Sequence, residues 1–352
     1  MSERTRKWFL QLLSVLLAVA LLYLALKGVD LNRVGQDLRN GAYIWVLPLA
    51  ALTIASHVLR AWRWTLMLNV LPDRGEQEPG VSVFAAFKSV MIGYMTNYAA
   101  PRLGEVVRSG HMAARSGVDF SGVFGTVVAE RLLDMVCLIL ALFSVPLILG
   151  DRLATLLPDL LPAGFSITPS IERLAIAGLV ICVVGICAFW WMKRARASPG
   201  GRSRIKEWLE TFRGGVETIA RTGRPAELVG STVLIWLAYG LMAYWPFFIF
   251  SMGSTYGLGF SDAWTLMLLG SLGVVIPSPG GIGSYHYIAI TALVSIWGVS
   301  QSTAASYAIF THGGQLILYV AVGFFLLIQD GSSWKDLRRE RPTAHKPSDV
   351  DH

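Results

Sequence analysis

The sequence predicts an all-α polytopic membrane bundle, with about six full spans plus two oppositely oriented re-entrant or broken helix pairs. Three observations lead there. Of the 352 residues, 54% are hydrophobic and only 15% charged, with a mean hydropathy of +0.53, far more apolar than a soluble domain. The apolar residues form long runs separated by short charged stretches, at lengths suited to a hydrocarbon core that takes roughly 20 helical residues to cross. A barrel would need short alternating strands instead. Finally, two runs are broken, by Pro101-Arg102-Leu103-Gly104-Glu105 and by Pro277-Ser278-Pro279-Gly280-Gly281-Ile282-Gly283. Lipid tolerates non-helical backbone only where protein or a water-filled cavity satisfies its hydrogen bonds, so the breaks point toward a site inside the membrane. The alternative is a pair of ordinary turns at the bilayer surface.

The elements follow in order. The run 8–26 comes after Arg4, Arg6 and Lys7. It is long and lacks a small-residue cleavage site before Lys27, which predicts a retained helix rather than a secretory signal. The run 42–59 ends at Arg60-Ala61-Trp62-Arg63-Trp64, where arginines are expected to meet headgroups and tryptophans to anchor at the interface. Further runs cover 81–100, 123–149, 171–192, 228–250, 263–276, 285–297 and 303–328. Cys137, Cys182 and Cys187 lie within these runs without metal-ligand spacing and read as small apolar residues. The formal charge of +7 and pI near 9.4 do not indicate nucleic acid, because the basic residues lie between or beside apolar runs, as positive-inside bias requires.

Charge parity decides which runs cross. The connection 193–225 is dense in Lys and Arg and short enough to obey the positive-inside rule, so it is expected in the cytoplasm, as are the basic N-terminal segment 1–7 and the tail 331–352. Within the connection, Trp208, Leu209, Phe212, Val216 and Ile219 recur at helical spacing, predicting an amphipathic helix on the cytoplasmic surface. If 81–100 crossed once, the basic connection would be left outside. The conflict vanishes when 81–100 breaks at Pro101 and returns with 105–118. By the same count 263–276 and 285–297 must cancel, as a re-entrant pair entering from the outer face or as two short crossings, and Pro277, Pro279 and the glycines between them favour the hairpin. Opposite entry is what an inverted repeat predicts, with residues 8–330 forming one membrane domain.

Several polar residues coincide with these features. Glu105 and Arg108 lie one turn apart just after the first break, with Arg102 before them and Asn97 preceding the proline. Arginine can hold a phosphate through two donors, so this is either an anionic headgroup site or a salt bridge that staples the turn. Glu130, Arg131 and Asp134 lie inside a long apolar run, where ionisable groups are costly and face the bundle interior or water. Glu130 and Asp134 are four apart and share a face, which makes them part of a polar pathway or of a structural ion pair. In the second break, Pro279, Gly280, Gly281 and Gly283 permit close backbone approach, and Ser284, Tyr285, His286 and Tyr287 offer hydrogen bonds to a phosphate or sugar oxygen. His312 and Gln315 in the last run can face the same cavity or simply pack.

The order of Gly104-Glu105-Val106-Val107-Arg108, Ala129-Glu130-Arg131-Leu132-Leu133-Asp134 and Pro277-Ser278-Pro279-Gly280-Gly281-Ile282-Gly283 resembles the flippase-like transmembrane family, also called the lysylphosphatidylglycerol synthase transmembrane-domain family, over about residues 10–330. The resemblance implies that Arg102, Glu105 and Arg108 belong to a first re-entrant motif, Glu130, Arg131 and Asp134 to the next helix, and Gly280, Gly281 and Gly283 to a second. In the best understood relatives, this domain is fused to a soluble aminoacyl-transferase and is thought to move the modified lipid across the bilayer. No comparable stretch follows residue 328 in this sequence, so aminoacylation by this chain is not expected. The Arg-Glu-like pair that commonly follows the glycines in the family is replaced by Ser284-Tyr285-His286-Tyr287.

The function expected is translocation of an anionic phospholipid or polyprenyl-phosphate-type lipid in a bacterial or archaeal cytoplasmic membrane, with both termini cytoplasmic. Its partners are the lipid and a separate lipid-modifying enzyme; nucleic acid, metal and cofactor are not called for. Two rivals remain at this stage. One is an intramembrane transferase or hydrolase using Glu130, Asp134 or His286 as a base, and the other is a non-catalytic membrane partner of such an enzyme.

Overall fold

A computed structural model describes residues 3–71, 80–99, 103–156, 217–275 and 278–331, and every regular element among them is helical. Four helices are long and apolar enough to cross a membrane: Tyr43–Leu68, Phe120–Gly150, Pro225–Ile249 and Gln301–Gln329. They correspond to four of the six predicted spans. A fifth, the first run, forms α1 (Glu3–Leu26) and joins α2 (Leu31–Asn40) at a bend of 84°. The run 171–192, with Cys182 and Cys187, and the basic connection as far as residue 216 lie outside the described residues, as does the tail from 332.

The bend has a local cause. Gly28 takes a φ of +80°, and Asp30 then caps α2 by accepting hydrogen bonds from the amides of Asn32 and Arg33 at 2.9 and 3.3 Å. On α2, Val34 is buried, and Asp37 accepts a hydrogen bond from Ser306 at 3.2 Å, laying the helix across the last long helix.

After a 3-10 turn at Tyr43–Trp45, α3 (Val46–Leu68) carries the second span well beyond residue 59. This corrects one expectation. Arg60 and Arg63 do not face outward but are 2% and 0% exposed, inside the bundle, because carboxylates of another helix neutralise them there.

The first break joins α4 (Val83–Ala99) to α5 (Leu103–Ser116), which fold back on each other as a hairpin. The helices touch at Gly104, where a Cβ would lie 2.2 Å from the carbonyl oxygen of Gly93. Next come α6 (Phe120–Leu142), capped by Asp119, α7 (Ser144–Leu156) and α8 (Pro225–Ile249), with proline in its first turn. A short α9 (Met252–Tyr256) leads to the second hairpin, α10 (Phe260–Val275) and α11 (Ser284–Trp297), and then to α12 (Gln301–Gln329). The hairpin helices have 17, 14, 16 and 14 residues, so at about 1.5 Å per residue each rises roughly 21–26 Å, short of a core about 30 Å thick.

The turn between α10 and α11 passes through positive φ at Gly280, Gly281 and Gly283. At Gly283, where φ is +84°, a Cβ would also lie 2.2 Å from the carbonyl oxygen of Ala18 on α1, so only glycine fits on both counts. The two breaks meet, since Gly280 lies against the ring of Tyr98 at the end of α4, within 2.8 Å of where its Cβ would be. Apolar packing forms around each hairpin, with Trp64, Met91 and Val123 at the first and Phe247, Leu293 and Tyr307 at the second.

Candidate functional site

The polar residues inside the bundle are drawn together by α6. An i,i+4 step puts Glu130 and Asp134 on one face, and α3 presents Arg60 and Arg63 to it. Arg60 reaches Glu130 Oε1 at 2.8 Å and Asp134 Oδ2 at 2.7 Å. Arg63 reaches Asp134 Oδ1 at 2.7 Å and Glu130 Oε1 at 3.5 Å. From α5, Arg108 reaches Glu130 Oε2 at 2.6 Å, with its guanidinium 3.8 Å above the ring of Trp64. On the flank, Arg131 pairs with Glu105 at 3.2 Å. The hydroxyls of Thr232 and Tyr239 on α8 accept from Arg63 and Arg60 at 3.1 and 3.0 Å. Glu105 and Arg108 therefore do not pair with each other, and both turn to α6.

Four arginines face three carboxylates in this cluster, leaving one net positive charge among the described residues. Glu130 and Arg63 are fully buried, and the Nε atoms of Arg60, Arg63 and Arg108 have no acceptor. Taking such charges out of water is expensive and is offset only by close pairing, so a surplus cation with idle donors favours an incoming anion.

Asn97 acts locally, accepting a hydrogen bond from the amide of Gly104 at 2.8 Å and so capping the start of α5. Arg102 lies outside the described residues, as do Pro101 and Pro277. Around the second break, Pro279–Gly281 form a 3-10 turn whose Gly280 carbonyl lies 2.9 Å from His312 Nε2. Ser284 bonds Ser278 at 2.8 Å and the Gly281 carbonyl at 3.2 Å, and the Tyr285 hydroxyl bonds Thr311 at 3.0 Å. Ser284 and Tyr285 thus close the turn. The rings of His286 and His312 are 5.0 Å apart, and the Nδ1 of His286 is buried without a partner. Gln315 is half-buried on α12, one turn beyond His312.

A row of rings joins the second break to the ion cluster. Tyr98 lies 6.2 Å from both His312 and Tyr319, Tyr319 lies 5.2 Å from Tyr94, and His57 is wedged against Tyr94 and Tyr319 at 4.6 and 4.9 Å. His57 is 1% exposed with neither ring nitrogen hydrogen-bonded, one turn before Arg60. Sequence reasoning missed Arg60, Arg63 and His57 as site residues. The available signal was their spacing, because His57, Arg60 and Trp64 recur at i, i+3 and i+7 on one face.

No group of three or more His, Cys, Asp or Glu among the described residues is placed to hold a metal ion. A family model described as the lysylphosphatidylglycerol synthase TM region matches residues 11–323. No curated protein and no solved structure matches the chain. With the match running from within α1 to within α12, the chain belongs to the lysylphosphatidylglycerol synthase TM region family.

Proposed function

We propose that this protein moves an anionic phospholipid or polyprenyl-phosphate-type lipid between the leaflets of the bilayer. The observation that carries the proposal is the buried cluster of three arginines and two carboxylates, flanked by the partly exposed Arg131–Glu105 pair, beside a broken helix pair. A cluster serving only to fasten helices together would be best balanced, whereas a net cation with unused guanidinium donors suits a phosphate in transit. Family membership and the multi-span architecture fit movement of lipid across a membrane. The lipid head passes the cluster while its chains stay in apolar surroundings. The two hairpins enter from opposite faces as halves of an inverted repeat, and both termini lie in the cytoplasm beside a separate enzyme that modifies the lipid.

The test is a panel of headgroup-labelled anionic and zwitterionic lipids in vesicles reconstituted with the native chain. Leaflet distribution is read by quenching and lipid structure by mass spectrometry. The expected result is movement of an anionic lipid, chemically unchanged. A chemically altered lipid would instead establish an intramembrane transferase or hydrolase, and no movement of any anionic lipid by folded protein, with partner and gradient supplied, would defeat the proposal.

A further inference from the structure

The stripe on α6 that bears Glu130 and Asp134 continues through Cys137 and Ala141, at the i+3 and i+4 steps that keep one helix face. Those two residues, with Ile148 further on, line an open-sided cavity of about 530 Å³ faced on the other side by Thr232 and Trp236 of α8 and Trp264 of α10. The volume is in the range of small-molecule sites and the wall is almost wholly apolar. The ion cluster adjoins it through one residue, since Thr232 both lines the cavity and accepts the hydrogen bond of Arg63. Asp134 lies one turn before Cys137 and is 17% exposed, whereas Glu130 is fully buried. A charged cluster one residue away from an apolar slot matches the layout of one amphiphile.

The Asp134 carboxylate offers one oxygen to Arg60 and the other to Arg63, each at 2.7 Å. Two oxygens bridging two guanidiniums are what a phosphate monoanion also supplies. We propose that the slot holds one hydrocarbon chain of an anionic phospholipid whose phosphate takes the place of the Asp134 carboxylate between Arg60 and Arg63. The proposal rests on the reading that the cargo is an anionic lipid, and it gives Asp134 the part of a built-in competitor rather than a ligand. A chain leaving the bilayer for the slot gains little hydrophobic free energy, because both surroundings are apolar. The exchange of carboxylate for phosphate therefore decides occupancy, and the rigid rings of Trp236 and Trp264 decide which chains pack.

The test reads binding alone, in nanodiscs of zwitterionic lipid, with a phosphatidylglycerol probe bearing a diazirine near the end of one chain and peptide mapping after photolysis. Adducts are expected on peptides spanning 137–148 and 232–237, displaced by unlabelled phosphatidylglycerol but not by phosphatidylcholine. Ala141→Trp, which fills the slot, should abolish most of them. Asp134→Asn keeps the side-chain volume and removes the competing charge, so half-saturation should tighten by about tenfold, the equivalent of one charge-assisted hydrogen bond. Adducts scattered over the outer helices, or missing from the slot because another part of the chain fills it, would overturn the proposal. So would a folded Asp134→Asn that binds more weakly than native. If that variant does not fold, the mapping and Ala141→Trp decide alone. A chain that binds the probe here yet never moves lipid fails the transport proposal only, and one that moves lipid without slot adducts fails this one only.

Discussion

Glu130 is the residue whose loss the structure prices most clearly. It is fully buried and its two oxygens meet Arg60 at 2.8 Å, Arg108 at 2.6 Å and Arg63 at 3.5 Å. Glu130→Gln keeps the volume, removes the charge, and sets an amide N–H₂ against guanidinium donors. The cluster then holds four arginines against two carboxylates, doubling its net charge where solvent does not screen it. Removing one partner from a buried ion pair costs about 3–5 kcal/mol, so the thermal midpoint of the purified protein should fall on the order of 5 °C or more. The double variant Glu130→Gln/Arg108→Met restores the net charge of the cluster and should recover part of that loss. A single variant within about 1 kcal/mol of native, or a double variant whose losses simply add, would refute the coupling of these residues through charge.

Other consequences follow from individual contacts. Gly104→Ala places a methyl against the Gly93 backbone, which cannot yield as a side chain tip would, so α4 and α5 must part at a cost of about 1–3 kcal/mol or more; Gly125→Ala, with open space around it, is the control and should leave the thermal midpoint nearly unchanged. Just past α12, burial alone would raise the pKa of Asp330, but hydrogen bonds from His111 and Lys88 outweigh it and lower it from 3.8 to about 2. A depressed folded pKa adds stability above the unfolded value that is lost as pH falls. Discounted for the carboxylate's contact with solvent, the native protein should therefore exceed Asp330→Asn by about 1 kcal/mol above roughly pH 5 and lose most of that margin as pH falls through about 2, and a margin constant across that range would contradict the assignment. Accessibility tags near Ser198 and Gly257 should report opposite faces of the membrane; the same face would break the parity of crossings.

The fold was legible wherever one residue type forces one conformation. Long apolar runs gave the four long helices to within a few residues, except α3, and Pro/Gly clusters marked both hairpins. The 84° turn after α1 went unread although Gly28, Asp30 and the amphipathic positions Val34 and Leu38 encode it, because ten residues of mixed polarity look like an ordinary loop. At the site, Glu130 and Asp134 were legible as charges inside an apolar helix. Their partners were not. Arg60 and Arg63, flanked by tryptophans, have the composition of an interfacial belt, and only pairing across about 70 residues of chain shows that they go inside. His57 was hidden for a similar reason, since its neighbours Tyr94 and Tyr319 come from two distant helices.

The most direct measurement of whether the buried cluster handles an anionic lipid is leaflet movement in reconstituted vesicles, comparing native protein with Arg108→Ala. Arg108 contacts Glu130 and stacks on Trp64, and its removal leaves Glu130 with Arg60 and Arg63, so the variant should fold. Native protein should move at least one anionic lipid, and the folded variant should do so about tenfold more slowly, the equivalent of one lost charge-assisted contact. Equal rates for the two proteins, with both incorporated and folded, would contradict the account.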